Sequence, residues 1–547
     1  MIIFVRFNLS FLMKKILVSI ILLFPFLLKS QTMEVSGIQE GLWDRDTILV
    51  IKDVIVPEDK SLTISEGTRI IFKDYFSIIV NGSFKALGSE TDSIYFTARD
   101  TTGFFNWKKG KGGWNGLIIQ NAKDTVILNY CHFSFGKSVN GQWSTVNGQG
   151  SEFNCGGALR IYNSCVNISN STFYHNLTTS KGGALYAEHS SIRVSDCEVD
   201  SNFGFNEEGV YMHGAGFQFN NCDVEMEDMY FHDNYCANCY GGGANFDSCN
   251  VYVNNAIFED NYAVNAAGMG IQRSNDYDVK VYNCLFNNNI SYHYGGAMAM
   301  ATSSPLIQNV TMTNNYTIAA GGGALQFYSK ARPVFKNCII WGNDWYGEHS
   351  SIPDGSQIFV WGSDCAPEFY NSILQGGYKE VHGNSSIAVY DTATMLSSDP
   401  MFVDIQNRNF KLQAESPAIN NGNLDIEGIP SKDLAGNQRV VGNRIDMGCY
   451  ESDVTSLKEI NYKNINIYPN PINHNSICEF LLRNTSDVNV KIYNQNASLI
   501  FVKNYGEMQS GRNEIHISDF IKSLKKNNLY LLSIESKREK INIKFVY

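Results

Sequence analysis

The sequence predicts an all-β solenoid, and three observations predict it. From residue 155 to residue 343 one pattern recurs seven times: a Gly-Gly-Ala triplet or near variant, then an aromatic or aliphatic residue followed three positions on by Asn. The triplets end at Ala158, Ala184, Gly216, Ala244, Gly270, Ala297 and Ala324, and the second mark falls at Asn176, Asn202, Asn234, Asn261, Asn289, Asn315 and Asn343. Both series step by 26 to 28 residues, apart from one shared step of 32. Two markers keeping one period with one common insertion define a stacked repeat. The third observation is composition: charged residues are only 18%, while Asn, Ser, Gly and Tyr abound, which suits a β surface better than helices.

A chain of 547 residues is too long for one compact core, so an array with accessory domains is expected. The net charge of −11 excludes the basic stripe that nucleic-acid phosphates need. Residues 1–31 read as a signal peptide, with Met13, Lys14 and Lys15 as the basic region and Ile16 to Leu28 as the apolar run. Met13 is a candidate true start, and an N-terminal membrane anchor is the alternative. No later stretch is apolar enough to span a membrane, so no transmembrane segment is expected in the mature chain.

Residues 32–120 form an N-terminal cap and the first coils. Short β-branched runs such as Asp46-Thr-Ile-Leu-Val and Arg69-Ile-Ile-Phe are punctuated by Gly67, Asn81-Gly82 and Gly88. Residues 121–343 are the regular repeats. Phe173, Phe231, Phe258 and Phe286, with Val199, Met312 and Ile340 substituting, predict one continuous apolar ladder inside the coil. The Asn series is read as a turn that tolerates left-handed backbone and hydrogen-bonds from coil to coil.

Thirteen cysteines in an exported chain suggest disulfides, but the register argues otherwise for Cys131, Cys197, Cys284 and Cys338. They share one repeat position, and Cys197 and Cys284, three coils apart, are separated by about 14 Å, beyond disulfide reach. They are expected to be buried thiols. Cys222–Cys249 and Cys236–Cys239 are the two candidate disulfides.

Residues 344–451 continue as irregular coils and a closing segment, with Asp399-Pro-Met-Phe-Val-Asp, Ser416-Pro-Ala-Ile-Asn, Asp433-Leu-Ala-Gly-Asn and Asp446-Met-Gly-Cys-Tyr-Glu451. Residues 452–460 are a linker. Residues 461–547 are a small β domain opening on Ile465-Asn-Ile-Tyr-Pro-Asn-Pro471.

The short strands of residues 42–120 resemble the first coils of secreted right-handed parallel β-helix proteins. The Gly-Gly-Ala and Phe-x-x-Asn repeats resemble those of chlamydial polymorphic outer-membrane proteins and the wider pectin-lyase-like group. The Tyr-Pro-Asn-Pro domain resembles the C-terminal sorting domain of the type IX secretion system of the Bacteroidetes. It departs from that pattern at Asn496 or Ala497 and at Asn528, where Gly is usual. These resemblances imply a right-handed parallel β-helix followed by a small β-sandwich. They also imply the type IX machinery as a partner through residues 461–547, and an exported, extracellular or surface location. They are specific for fold and weak for activity, because this fold hosts lyases, hydrolases, tailspikes and adhesins alike.

Chemistry is sought on what the solenoid displays. If Leu159, Leu185, Phe217, Ile271, Met298 and Leu325 point inward, their successors Arg160, Tyr186, Gln218, Gln272 and Gln326 point outward, with Asn245 joining if its triplet is one residue out of register. Glu188 and Asp247 lie two positions further along. Amides and rings repeating every ~4.8 Å make this the candidate saccharide-binding face, against an ordinary solvated sheet. Asp233 and Asp260 occupy one corner in adjacent coils and are the candidates for a Ca²⁺ site or an acid/base pair about 5 Å apart. No cofactor is firmly implied. Arg160 is also a candidate lyase base. The loops Tyr292-His-Tyr294 and Trp345-Tyr-Gly-Glu-His349 are candidate walls of a glycan cleft. The preferred reading is an adhesin-like or glycan-contacting binding protein. A polysaccharide lyase or glycoside hydrolase on the same face is the second, and a structural stalk without ligand the third.

Overall fold

The computed structural model describes residues 32–139, 155–205, 212–319, 321–345, 357–383, 389–424, 428–441, 444–452, 465–482, 485–495, 498–526, 528–536 and 540–547. The expected signal peptide, most of the expected linker, Asn496, Ala497 and residues 346–349 lie outside them. The chain divides into two compact units, Met1–Ser452 and Asp453–Tyr547.

In the first unit each repeat lays one strand on each of three faces and a short strand on a fourth. The first face runs through Leu159–Tyr162, Leu185–Glu188, Phe217–Asn220, Ala244–Asp247, Met269–Ser274, Met298–Ser303 and Leu325–Tyr328. The second and third faces are continuous strands in three coils, Ser191–Asp200, Asp223–His232 and Asn250–Glu259. The short face follows the ladder Asn, through Leu177–Thr178, Phe203–Gly204, Tyr235–Cys236, Tyr262–Asn265, Ile290–Tyr294 and Tyr316–Thr317. Neighbouring coils pair in parallel throughout. The coil after Trp114 leads into the array, since Leu117–Gln120 pairs with Leu159–Tyr162.

The core is a stack of identical positions. On the third face Phe173, Val199, Phe231, Phe258, Phe286, Met312 and Ile340 are in direct register. Phe231, Phe258 and Phe286 stack at 4.8 Å with planes 1° and 3° apart, the spacing of neighbouring strands.

Register corrects the triplet series. Leu185 pairs with Phe217, Phe217 with Ala244 and Ala244 with Met269. The residues equivalent to Ala184 and Gly216 are therefore Gly243 and Gly268, not Ala244 and Gly270. An inward Met269 moves Gln272 out of the row of Arg160 and into that of Asp247, and Gly270 takes its place beside Asn245. The sequence marker slips because this position is Ala in some coils and Gly in others, at Gly216, Gly243 and Gly268, where a Cβ would clash, so residue type alone does not fix the register.

The Asn ladder is continuous, but its backbone reason differs from the one expected. The ladder residues are not left-handed; the residues just before them are, including His175, Ser201, Asp233, Asp260, Asn288 and Asn314. Each ladder side chain is fully buried or nearly so. Asn202 Oδ1 accepts from the backbone N–H (3.0 Å) and Nδ2 (2.9 Å) of Asn176, and the same pattern joins Asn202 to Asn234 and Asn234 to Asn261. Gln357 continues the ladder past Asn343.

Cys131, Cys197, Cys284 and Cys338 are buried free thiols. Each sits just after a corner, and its Sγ donates to the carbonyl two residues earlier, as from Cys284 to Tyr282 at 3.1 Å. Ser171 and Ser372 make the same bond with Oγ at 2.7 Å, which explains why Ser and Cys interchange there. Cys222 and Cys249 are also free, with Cys222 N–H donating to Cys249 Sγ at 3.3 Å. Cys236 and Cys239 are disulfide-bonded.

The closing segment lies along the third face. Its hairpin, Phe402–Asp404 with Asn409–Leu412, brings Phe402, Phe410, Met447 and Cys449 onto the outward side chains Leu285, Ile339 and Ile373. Cys449, where a small residue is expected, is fully buried. The second unit packs a three-stranded and a four-stranded antiparallel sheet around one core that includes Phe480, Ile515, Val490, Leu532 and Phe545, a β-sandwich.

Candidate functional site

The first-face residues line up in two rows, and the inner row is closed off. Arg160, Tyr186, Gln218 and Asn245 are 1%, 3%, 0% and 0% exposed, and Gln326 is also buried. The cause lies in the repeat itself. The left-handed glycine of each Gly-Gly pair folds over the next strand, so a Cβ on Gly241 would meet Asn245 Cβ at 2.7 Å. Under that cover the side chains bond to one another, although Asn245 Oδ1 has no partner among the described residues. Asn245 Nδ2 donates to Gln218 Oε1 at 2.9 Å, Gln218 Nε2 to Asn220 Oδ1 at 2.5 Å, and Asn220 Nδ2 to the Tyr186 hydroxyl at 3.1 Å. Arg160 donates to the Gly156 carbonyl (3.2 Å), and to Asn115 O (2.9 Å) and Oδ1 (2.7 Å). It fixes coils together rather than facing a cleft as a base.

The outer row holds Tyr162, Glu188, Asn220, Asp247, Gln272, Ala301 and Tyr328. Asp247 is bidentate with Arg273, at 2.7 Å for Nε to Oδ1. His213 stacks on Tyr240 at 5.7 Å, and its Nδ1 is buried with no hydrogen-bond partner among the described residues. Burial, then the nearby Lys181 charge, lower the His213 pKa to about 4, so its imidazole is neutral at physiological pH.

The two corner acids have different partners. Asp260 is held by Arg408 of the closing segment (2.6 and 3.2 Å), whose guanidinium also reaches Glu259 at 3.0 Å. Asp233 instead joins His232, with Oδ2 2.8 Å from Nδ1. Both acids sit at left-handed corners, φ 54° and 55°, a position Asp fills for backbone reasons.

The surface that sequence reasoning missed is the short face. Leu177, Phe203, Tyr235, Tyr262, Ile290 and Tyr316 form one row in register. Tyr235 and Tyr262 stack at 4.9 Å with planes 12° apart. Phe205 bridges Phe203 and Tyr235, and Phe105 caps the row against Phe203. Phe105, Tyr235 and Tyr292 are 55%, 37% and 43% exposed. At the other end Tyr316, Ile318, Gly342 and Asp344 line a hollow of ≈ 520 Å³. The sequence signal was present: the residue right after the ladder Asn is aromatic in four of the seven copies. Tyr294 turns away and stacks near Phe359 and Trp361.

A larger hollow, ≈ 870 Å³, lies on the second face. Two ion pairs lie in it, Arg193 with Glu225 (2.5 Å) and Lys280 with Asp278 (2.7 Å).

Residues 256–399 match the right handed beta helix region family. Residues 170–188 match the Chlamydia polymorphic membrane protein repeat. Residues 466–547 match the secretion system C-terminal sorting domain. The chain is a right-handed parallel β-helix protein with a type IX sorting domain. No curated protein matches it. The sorting domain commits this β-helix protein to the secretion machinery, and the protein is exported to the cell surface or the extracellular space. Among the described residues no helix is long and apolar enough to cross a membrane.

Proposed function

We propose that this surface β-helix protein acts by binding, and that an extended polysaccharide lies along the short face. The observation that carries this is the aromatic row Phe203, Tyr235, Tyr262 and Tyr316, in which Tyr235 is exposed and the other three are half-buried. Phe203, Tyr235 and Tyr262 recur at the strand spacing of about 4.8 Å, close to the length of one sugar unit, and Tyr316 follows beyond Ile290. Stacked on one another, the rings offer a ridge of apolar edges and hydroxyls to a pyranose chain. The polar neighbours along the ridge supply hydrogen bonds. The glycan-contacting role therefore moves from the first face, whose amides are covered, to the short face.

Calorimetric titration of the purified protein with a panel of neutral and acidic polysaccharides tests this. Replacing Tyr235 and Tyr262 together by Ala is expected to weaken the best ligand at least tenfold, about 1.4 kcal/mol. Unchanged affinity in that variant would place the ligand elsewhere, and no binding across the panel would leave a structural stalk.

A second reading, a polysaccharide lyase or hydrolase on the first face, is favoured by one observation. His213 is a neutral imidazole with an unpartnered Nδ1, beside Lys181, Arg273 and Asp247. A neutral imidazole is a proton acceptor, and the cations would stabilise developing negative charge. Unsaturated or reducing ends that disappear in His213→Ala would establish it.

A further inference from the structure

We propose that Asp200, His232 and Asp233 form a divalent-metal site of mixed nitrogen and oxygen donors at the corner between the third and short faces. One ligand atom from each lies within 4.8 Å of the other two. His232 Nδ1 is 2.8 Å from Asp233 Oδ2 and 3.5 Å from Asp200 Oδ1. The three residues converge because Asp200 and His232 are directly paired in adjacent strands, while the left-handed corner at Asp233 turns its carboxylate back over the ring.

Two features of the surroundings distinguish this corner from a solvated acidic turn. The first is the far side of the imidazole. Glu198 Oε1 lies 3.0 Å from Nε2, and the ring is stacked on Tyr230 at 4.1 Å. A carboxylate on the outer nitrogen holds the proton there and turns the inner nitrogen's lone pair toward the metal position, the usual arrangement behind a metal-bound histidine. Ser201 Oγ similarly donates to Asp200 Oδ1 at 2.6 Å.

The second feature is a comparison inside the molecule. One coil on, Glu259 occupies the His232 position and Asp260 the Asp233 position. There the closing segment delivers Arg408 to both. At the Asp200 corner the ion pairs of Glu198, Asp200 and Asp233 among the described residues all run to the single His232 imidazole. Three carboxylates thus share one side chain that carries at most one charge. A divalent cation supplies the balance that Arg408 supplies next door.

Imidazole with two carboxylates suits zinc and its transition-metal neighbours better than calcium, which takes all-oxygen shells. Three protein ligands leave a coordination position open on the exposed Asp233 side. The site does not depend on the glycan reading.

The full chain, stripped with chelator and titrated calorimetrically with ZnCl₂, MnCl₂ and CaCl₂, tests the proposal. One Zn²⁺ is expected to bind per chain, more tightly than Ca²⁺, and to raise Tm. Asp200→Asn combined with His232→Gln is expected to abolish that event, and Glu198→Gln to weaken it roughly 10- to 100-fold. Asp260→Asn, at the neighbouring corner, is expected to leave it intact. Circular dichroism of each variant confirms the fold, and Asp233→Asn is a milder second probe should the double variant fail to fold. Zinc binding that survives the double variant would assign the ion to thiols elsewhere and overturn the proposal, as would absence of binding in the parent chain.

Discussion

Each ladder asparagine performs several bonding tasks at once. Asn234 accepts from the backbone and side chain of Asn202, and donates to the Val199 carbonyl at 2.8 Å and to Asn261 at 2.9 Å. All of this happens at 0% exposure, where a lost partner cannot be replaced by water. Asn234→Ala is expected to destabilise the β-helix by about 3 kcal/mol, because the buried Asn202 N–H and Nδ2 lose their acceptor while the Val199 carbonyl and Asn261 Oδ1 lose a donor. Chemical denaturation would measure it. The corner residue beside it behaves differently: Asp233→Asn keeps the left-handed backbone that Asn tolerates and is expected to leave stability nearly unchanged in metal-free buffer. The Asn series was plain in the sequence, and so was its side-chain role. The left-handed angle was assigned one residue too late, because Asn is both the best ladder residue and a common left-handed one, so type alone does not separate the two positions.

At the scale of the element, the closing segment is held by an ion pair at one end and a buried polar cluster at the other. Arg408 ties it to Glu259 and Asp260, and Arg408→Ala is expected to loosen the hairpin at Phe402–Leu412. Limited proteolysis would show earlier cleavage there while the coils stay protected. The cluster at its end places Arg439, Asp433, Asp446 and Glu451 out of water. The Glu451 carboxylate accepts the backbone N–H groups of Val441 and Asp446, both at 3.0 Å. Burial, then the charge of Asp446, push its pKa up to about 7. In the unfolded chain it titrates near the ordinary carboxyl value of 4.5. Between those values the folded state holds the proton that the unfolded state has released. Stability from this group is therefore full below pH 4.5 and is lost as pH rises through about 7, at about 1.4 kcal/mol per unit. Glu451→Gln, which mimics the protonated form, is expected to flatten that decline in Tm between pH 5 and 8.

Over the whole molecule, the two units have separate cores and separate tasks. The sorting domain directs export, and the β-helix presents the surface that acts outside. Removing residues 453–547 is expected to abolish surface delivery while the remaining chain still folds. Fractionation with immunoblotting would find the truncated protein inside the outer membrane, and circular dichroism would still show its β content.

The repeat period, the sorting motif and the apolar ladder were legible from the sequence, because each coil must place like residues at like heights to stack. That necessity writes itself as periodicity. Solvent access does not. Arg160, Gln218 and Asn245 leave the sheet on its outward side, as alternation requires, yet the Gly-Gly turn of their own coil covers them. Asp260 carries the same corner position as Asp233, yet Arg408, 148 residues away, neutralises it and leaves Asp233 to His232 and Asp200. The sequence by itself determined the solenoid, its Asn ladder and its export. Only the tertiary structure decided which face meets solvent, because exposure depends on what the turns and the distant closing segment lay over each strand.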